Sequence, residues 1–195
     1  MRIWTVQHKG LWEDLKRSGI AFCNAPTMAD DPDTDQFRNA YAWMEKQMEH
    51  RVPVQRPESA KHLIWGWAQY GNHKKTYHPD TTQYNGGNYV CFELDVPEEE
   101  LLLSDFSLWN CILNEGALGD KELDKRIDSF LASGNGFVAL KDYPGELKDA
   151  VIKSWDRIFD LRTQDRHAPT HRRNRTIQAT FWYIKESWIK GWRIY

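Results

Sequence analysis

The chain is short of most features that announce a function. It has three cysteines in 195 residues, Cys23, Cys91 and Cys111, and no CxxC or CxxH pair. That argues against a disulfide framework and a zinc knuckle. No GxGxxG, phosphate-binding GxxxxGK[ST], GxSxG or HExxH motif occurs, so the common nucleotide, hydrolase and metalloprotease signatures are missing. No histidine falls at a ligand spacing beside a cysteine or a second histidine on a helical face. His167 and His171 are four apart, but arginines that would repel a cation surround them, so no metal is expected. No apolar run approaches the roughly 20 residues of a membrane span. The opening Met1–Gln7 has no signal-peptide core, so a cytoplasmic protein with reduced thiols is expected. Neither sign of charge dominates. With 26 basic and 28 acidic residues the net charge is −2, which disfavours a protein that coats nucleic acid.

What stands out instead is tryptophan. There are ten Trp, and Phe, Tyr and Trp together make 13% of the chain. Mean hydropathy is −0.73, so rings must carry much of the burial. Ile3 to Gln7 alternates as a strand, and Leu11 to Ser18 reads as a helix closed by Gly19. Residues 24 to 35 read as an acidic loop. Phe37 to His50 reads as an amphipathic helix, with Phe37, Tyr41, Met44 and Met48 on one side. His62 to Tyr70 predicts a strand in which Gly66 marks a bulge or a close backbone approach. A long loop, a strand over Asn88 to Val96 and a helix through Phe106, Trp109 and Ile112 follow. Helices over Lys121 to Leu131 and Leu147 to Phe159 precede a last strand over Thr176 to Ile184. Trp188 and Trp192 lie at helical spacing and should pack in the core. The irregular order of elements predicts one α+β domain over residues 1–195, a mixed or antiparallel sheet with several flanking helices.

Each candidate residue has a functional and an ordinary reading. Thr5 and Gln7 share a strand face. They either line a cleft, holding an amide or a ribose hydroxyl, or form the wet side of an edge strand. Gln178, Thr180 and Trp182 share a face of the last strand, a lining that suits a ligand groove, where Gln bonds in two directions and Trp stacks. Trp65 and Trp67 flank Gly66 as a stacking wall. Arg51 either grips a phosphate or carboxylate or simply suits the end of its helix. Asp105 is either a working carboxylate or a helix cap. Residues 162–175, with five Arg and two His against one Asp, either grip phosphates or form a solvated loop.

The opening Ile3-Trp4-Thr5-Val6-Gln7 with Trp12 and Gly19, Tyr41-Ala42-Trp43-Met44 with Arg51, Trp65-Gly66-Trp67, Leu103-Ser104-Asp105-Phe106 with Trp109, and Ile177-Gln178-Ala179-Thr180-Phe181-Trp182 run in order along nearly the whole chain. This pattern resembles a bacterial and phage family known as domain of unknown function 3841, a resemblance that implies no particular activity. More remotely, the order Thr5/Gln7, Trp65/Trp67, Gln178 is similar to ADP-ribosyltransferases of the toxin class. That likeness implies an enzyme that binds NAD or another nucleotide. In it Thr5 or Gln7 would hold the ribose, Trp67 would stack on nicotinamide and Arg51 would bind pyrophosphate. Gln178 would orient the acceptor, and Asp105 would face the cationic transition state. The alternatives are a non-catalytic module that binds a host or phage protein through the acidic loop Asp30–Asp35 or the arginine run, and a nucleic-acid binder through that run.

Overall fold

The computed structural model describes residues 1–24, 35–71, 77–79, 84, 86–136, 138–162, 167 and 171–195, without the side chains of 35, 36, 135 and 172. Its strands are β1 (Arg2–His8), β2 (Ile20–Phe22), β3 (Ile64–Gln69), β4 (Tyr89–Asp95), β5 (Leu102–Asp105), β6 (Ile177–Phe181), β7 (Tyr183–Lys185) and β8 (Ile189–Ile194). The α-helices are α1 (Lys9–Ser18), α2 (Asp35–Arg51), α3 (Phe106–Leu113), α4 (Lys121–Phe130) and α5 (Gly145–Ser154), the last followed by a 3-10 turn over Trp155–Phe159. Six strands form one antiparallel sheet in the order β5-β6-β3-β1-β4-β8, and β2 pairs with β7 apart from it. The fold is α+β, as the element pattern predicts.

Local chemistry explains the element ends. The ring of His8 accepts from the Gly10 amide at 3.2 Å to start α1. Gly19, at φ 74°, ends it by donating its amide to the Leu15 carbonyl. Asp105 accepts from the amides of Ser107 and Leu108 at 2.8 and 3.2 Å and so starts α3. On α2 the fully buried line is Ala40, Met44 and Met48, four residues apart on one face. Tyr41 therefore stands at the edge of that stripe, not at its centre.

The structure departs from the sequence pattern at three places. β1 lies between β3 and β4, so Thr5 and Gln7 do not sit on an edge strand. The expected last strand breaks at Trp182. There the chain leaves the large sheet, and β7 turns to pair with β2. The C-terminus is not helical. Trp188 is buried against Tyr183 at 5.5 Å, whereas Trp192 sits on β8, is 53% exposed and rests on Trp12 at 5.4 Å. Pairing of β8 with the central-sheet strand β4 decides this end, and such long-range pairing overrides local spacing.

Candidate functional site

β1 pairs with β4 along its whole length, from Arg2 opposite Asp95 to His8 opposite Tyr89. With β3 it pairs only at Trp4 opposite Trp67. Beyond that point β1 and β3 separate. The Thr5 hydroxyl donates to the Trp65 carbonyl at 2.6 Å, and the Gln7 amide nitrogen donates to the Thr5 oxygen at 2.7 Å. A side-chain hydroxyl thus stands where a ladder bond would otherwise form. Gly66 lets the strands close up beside this point. A methyl group there would lie 2.6 Å from Ile3 Cγ2 and 2.9 Å from the Trp4 carbonyl.

The separation leaves a cavity of about 370 Å³. Leu63, just before β3, and the consecutive β3 residues Ile64 to Trp67 all line it, with Val6 and Gln7 of β1. Strand side chains alternate between faces, so a cavity touched by every successive residue lies against the strand's edge. It is a slot between two strands. Tyr41 and Glu45 of α2 roof it, and Gln178 and Tyr84 reach it from β6 and the segment before β4. The bridge between Cys23 and His62, with the His62 amide 3.2 Å from the Cys23 carbonyl, closes one side.

Rings dominate the lining. Trp65 lies 4.9 Å from Trp109, and Tyr41 meets both edge-on at 5.5 Å. Trp67 meets Phe106 edge-on at 5.0 Å. Burial raises the Tyr41 hydroxyl above its ordinary range. Burial, then the neighbouring Tyr89, Cys91 and Tyr70, does the same for Tyr84, so both phenols keep their protons at neutral pH. Glu45 supplies the carboxylate. Its Oε2 accepts from Arg56 at 2.9 Å, and its Oε1 lies 3.9 Å from His62 Nδ1. Arg56 also donates to the carbonyls of Ala60 and Lys61 and covers the Trp182 ring at 5.0 Å. One guanidinium therefore ties the connector before β3 to α2 and fixes the carboxylate in the slot.

Of the residues singled out from the sequence, Gln7, Trp65, Trp67 and Gln178 line the slot. Thr5, 1% exposed, supports it from beneath. The Gln178 amide donates to Ser104 Oγ at 2.9 Å. Thr180 is buried and donates to the Leu102 carbonyl at 3.3 Å. Trp182 is buried under Arg56, away from the lining. Arg51 pairs with Asp156 at 2.8 Å, donates to Gln47 at 2.7 Å and lies over Phe159 at 4.4 Å, so the structure does not bring it to the slot. Asp105 is also elsewhere. One oxygen caps α3 and the other lies 3.5 Å from Arg175 Nε. The acidic positions 30 to 33 lie outside the described residues, and Asp35 is described without its side chain. Tyr41, Glu45, His62 and Tyr84 were not singled out as a site. The one sequence signal was the four-residue spacing of Tyr41 and Glu45, which puts both on one helix face. Among the described residues no group of three or more His, Cys, Asp or Glu side chains is placed to hold a metal ion.

The fold and site define an α+β domain with a ring-lined slot between two strands of one antiparallel sheet. Residues 2–190 match the family described as domain of unknown function DUF3841, and the chain belongs to that family. No curated protein and no solved structure matches it. Among the described residues no helix is long and apolar enough to cross a membrane.

Proposed function

We propose that the slot binds a flat, positively charged heteroaromatic ring carried on a sugar, and that the nicotinamide riboside end of NAD is the ligand. The observation behind this reading is one carboxylate, Glu45, set among the rings of Tyr41, Trp65, Trp67 and Tyr84. Electron-rich ring faces attract cations, and a carboxylate adds to that attraction. A volume of about 370 Å³ suits a nucleoside-sized group better than a whole dinucleotide. Gln7, already tied to Thr5, is the slot's amide partner for the ribose.

ADP-ribosyl transfer is the reaction we assign to it. The bond from the ribosyl carbon to the nicotinamide nitrogen breaks, and nicotinamide leaves with the electron pair. An acceptor oxygen or nitrogen bonds to the same carbon, and its proton is released. The transition state carries positive charge on the sugar, which a fixed carboxylate stabilises. Glu45 takes this role in place of Asp105, and Gln178, held by Ser104, faces the acceptor.

Calorimetric titration with nicotinamide riboside and with NAD tests the reading. Both should bind saturably, and Trp65→Ala should abolish binding. Glu45→Gln should retain binding but lower nicotinamide release from NAD by about 10²–10³-fold. Absence of saturable binding by both compounds, or full nicotinamide release in Glu45→Gln, would refute it.

A further inference from the structure

A second concavity of about 730 Å³ opens on the opposite face of β6. Ile177 lines it whereas the neighbouring Gln178 lines the slot, and successive strand side chains point to opposite faces. Arg162, Arg173, Arg175 and His171 line it. Leu103, Leu161 and Ile177 supply an apolar floor. No carboxylate is among the described residues that line it, and none of the described carboxylates forms an ion pair with Arg162 or Arg173.

The frame is held in place. Gln69 on β3 donates to the carbonyls of Arg173 and Arg175 at 3.1 and 2.7 Å. His171 accepts from the Arg173 amide at 3.3 Å. The Gly71 amide donates to Thr176 at 3.2 Å. Arg175 is 3% exposed and lies against the Asp105 carboxylate, so its charge is balanced and its orientation set from behind. Arg162 and Arg173 are exposed and carry the excess charge.

We infer that this basin is a binding site for a small phosphate-bearing molecule, with phosphate oxygens against Arg162 and Arg173 and a carbon-rich portion on Leu103, Leu161 and Ile177. Guanidinium groups bind phosphate through paired hydrogen bonds. The volume falls in the range of small-molecule sites, roughly 300–1,000 Å³. Nucleic acid would need cations strung along a track, and the chain's net charge of −2 gives it no general attraction for a polyanion. Here the cations surround one hollow.

Titration of the full chain at low salt with inorganic pyrophosphate, with ATP and with a short single-stranded oligonucleotide tests the inference. Pyrophosphate and ATP should bind saturably. The double variant Arg162→Gln/Arg173→Gln, both exposed, should weaken each by about tenfold or more without changing the melting temperature. Trp67→Leu should leave pyrophosphate affinity unchanged, which separates this basin from the slot. Nicotinamide riboside, which has no phosphate, should bind the double variant as it binds the parent chain. No saturable binding of pyrophosphate and ATP, equal affinity in the double variant, or binding of the oligonucleotide alone would overturn it.

Discussion

The hydroxyl of Thr5 and the carbonyl of Trp65 meet at 2.6 Å where β1 and β3 part company. That contact sits at the floor of the slot. It also anchors Gln7, which donates to the same hydroxyl. Replacing the hydroxyl with a methyl keeps the shape and leaves a half-buried carbonyl and a half-buried amide without their partner. Thr5→Val should cost about 0.5–1.5 kcal/mol in urea unfolding. It should also weaken slot ligands more than it changes the far-ultraviolet spectrum. An unchanged unfolding midpoint would show that the contact contributes nothing net.

Gly66 is required for a different reason. A Cβ would collide with Ile3 and with the Trp4 backbone at 2.6 and 2.9 Å, and a backbone atom cannot swing away. Gly66→Ala should therefore destabilise the fold by about 1–3 kcal/mol through overpacking. A melting temperature equal to that of the parent chain would contradict the close approach.

Asp105 has two structural tasks, capping α3 and neutralising the buried Arg175. Breaking one partner of a buried pair strands the other charge. Asp105→Ala should cost about 3–5 kcal/mol and lower the melting temperature. The folded fraction should still bind nicotinamide riboside with unchanged affinity, since Asp105 does not line the slot. A variant that is stable but inactive would return Asp105 to a chemical role.

Arg51 gives the opposite expectation. Its pair with Asp156 is half exposed, and such pairs contribute about 0–1 kcal/mol. Arg51→Gln should leave both stability and slot binding nearly unchanged. A large loss of NAD affinity would show that the side chain reaches the ligand after all.

Stability should also fall in alkali. Burial raises the Cys91 thiol from 9.0 to about 11, with Glu93 adding to the rise and Arg193 opposing it. The folded state holds this proton more tightly than the unfolded chain does. The contribution is therefore complete below about pH 9 and is lost as pH rises through about 11. Unfolding midpoints measured across that window should decline, and Cys91→Ala should decline less steeply. Parallel curves for the two proteins would rule out Cys91 as the source.

Periodicity made several elements legible before any coordinates. The alternation over Ile3 to Gln7, the stripe on α2 and the Gly19 cap needed only local stereochemistry, which the chain itself carries. The same holds for Asp105 as a helix cap. The site was only half legible. Gln7, Trp65, Trp67 and Gln178 could be placed on strand faces, but no periodicity tells which strands are neighbours or where two of them separate. Glu45 reads as one more charge on an amphipathic helix, because its partner Arg56 comes from a connector with no pattern of its own and His62 from the very start of the next expected strand. Arg51 and Asp105 each carry two readings in the sequence, a ligand group or a helix-end residue, and only the partners Asp156 and Arg175, both far along the chain, decide between them.

By itself, then, the sequence determined an α+β chain rich in Trp, whose rings had to share in the burial, since local φ/ψ preference and the apolar area of each ring are set residue by residue. Tertiary structure alone decided which of those rings face a cavity. Trp65 and Trp67 do so because β1 leaves β3 after a single paired position. Trp182 does not, because Arg56 closes over it. Strand order and the point of separation depend on contacts between residues sixty or more positions apart, as between Thr5 and Trp65, and no local pattern encodes them.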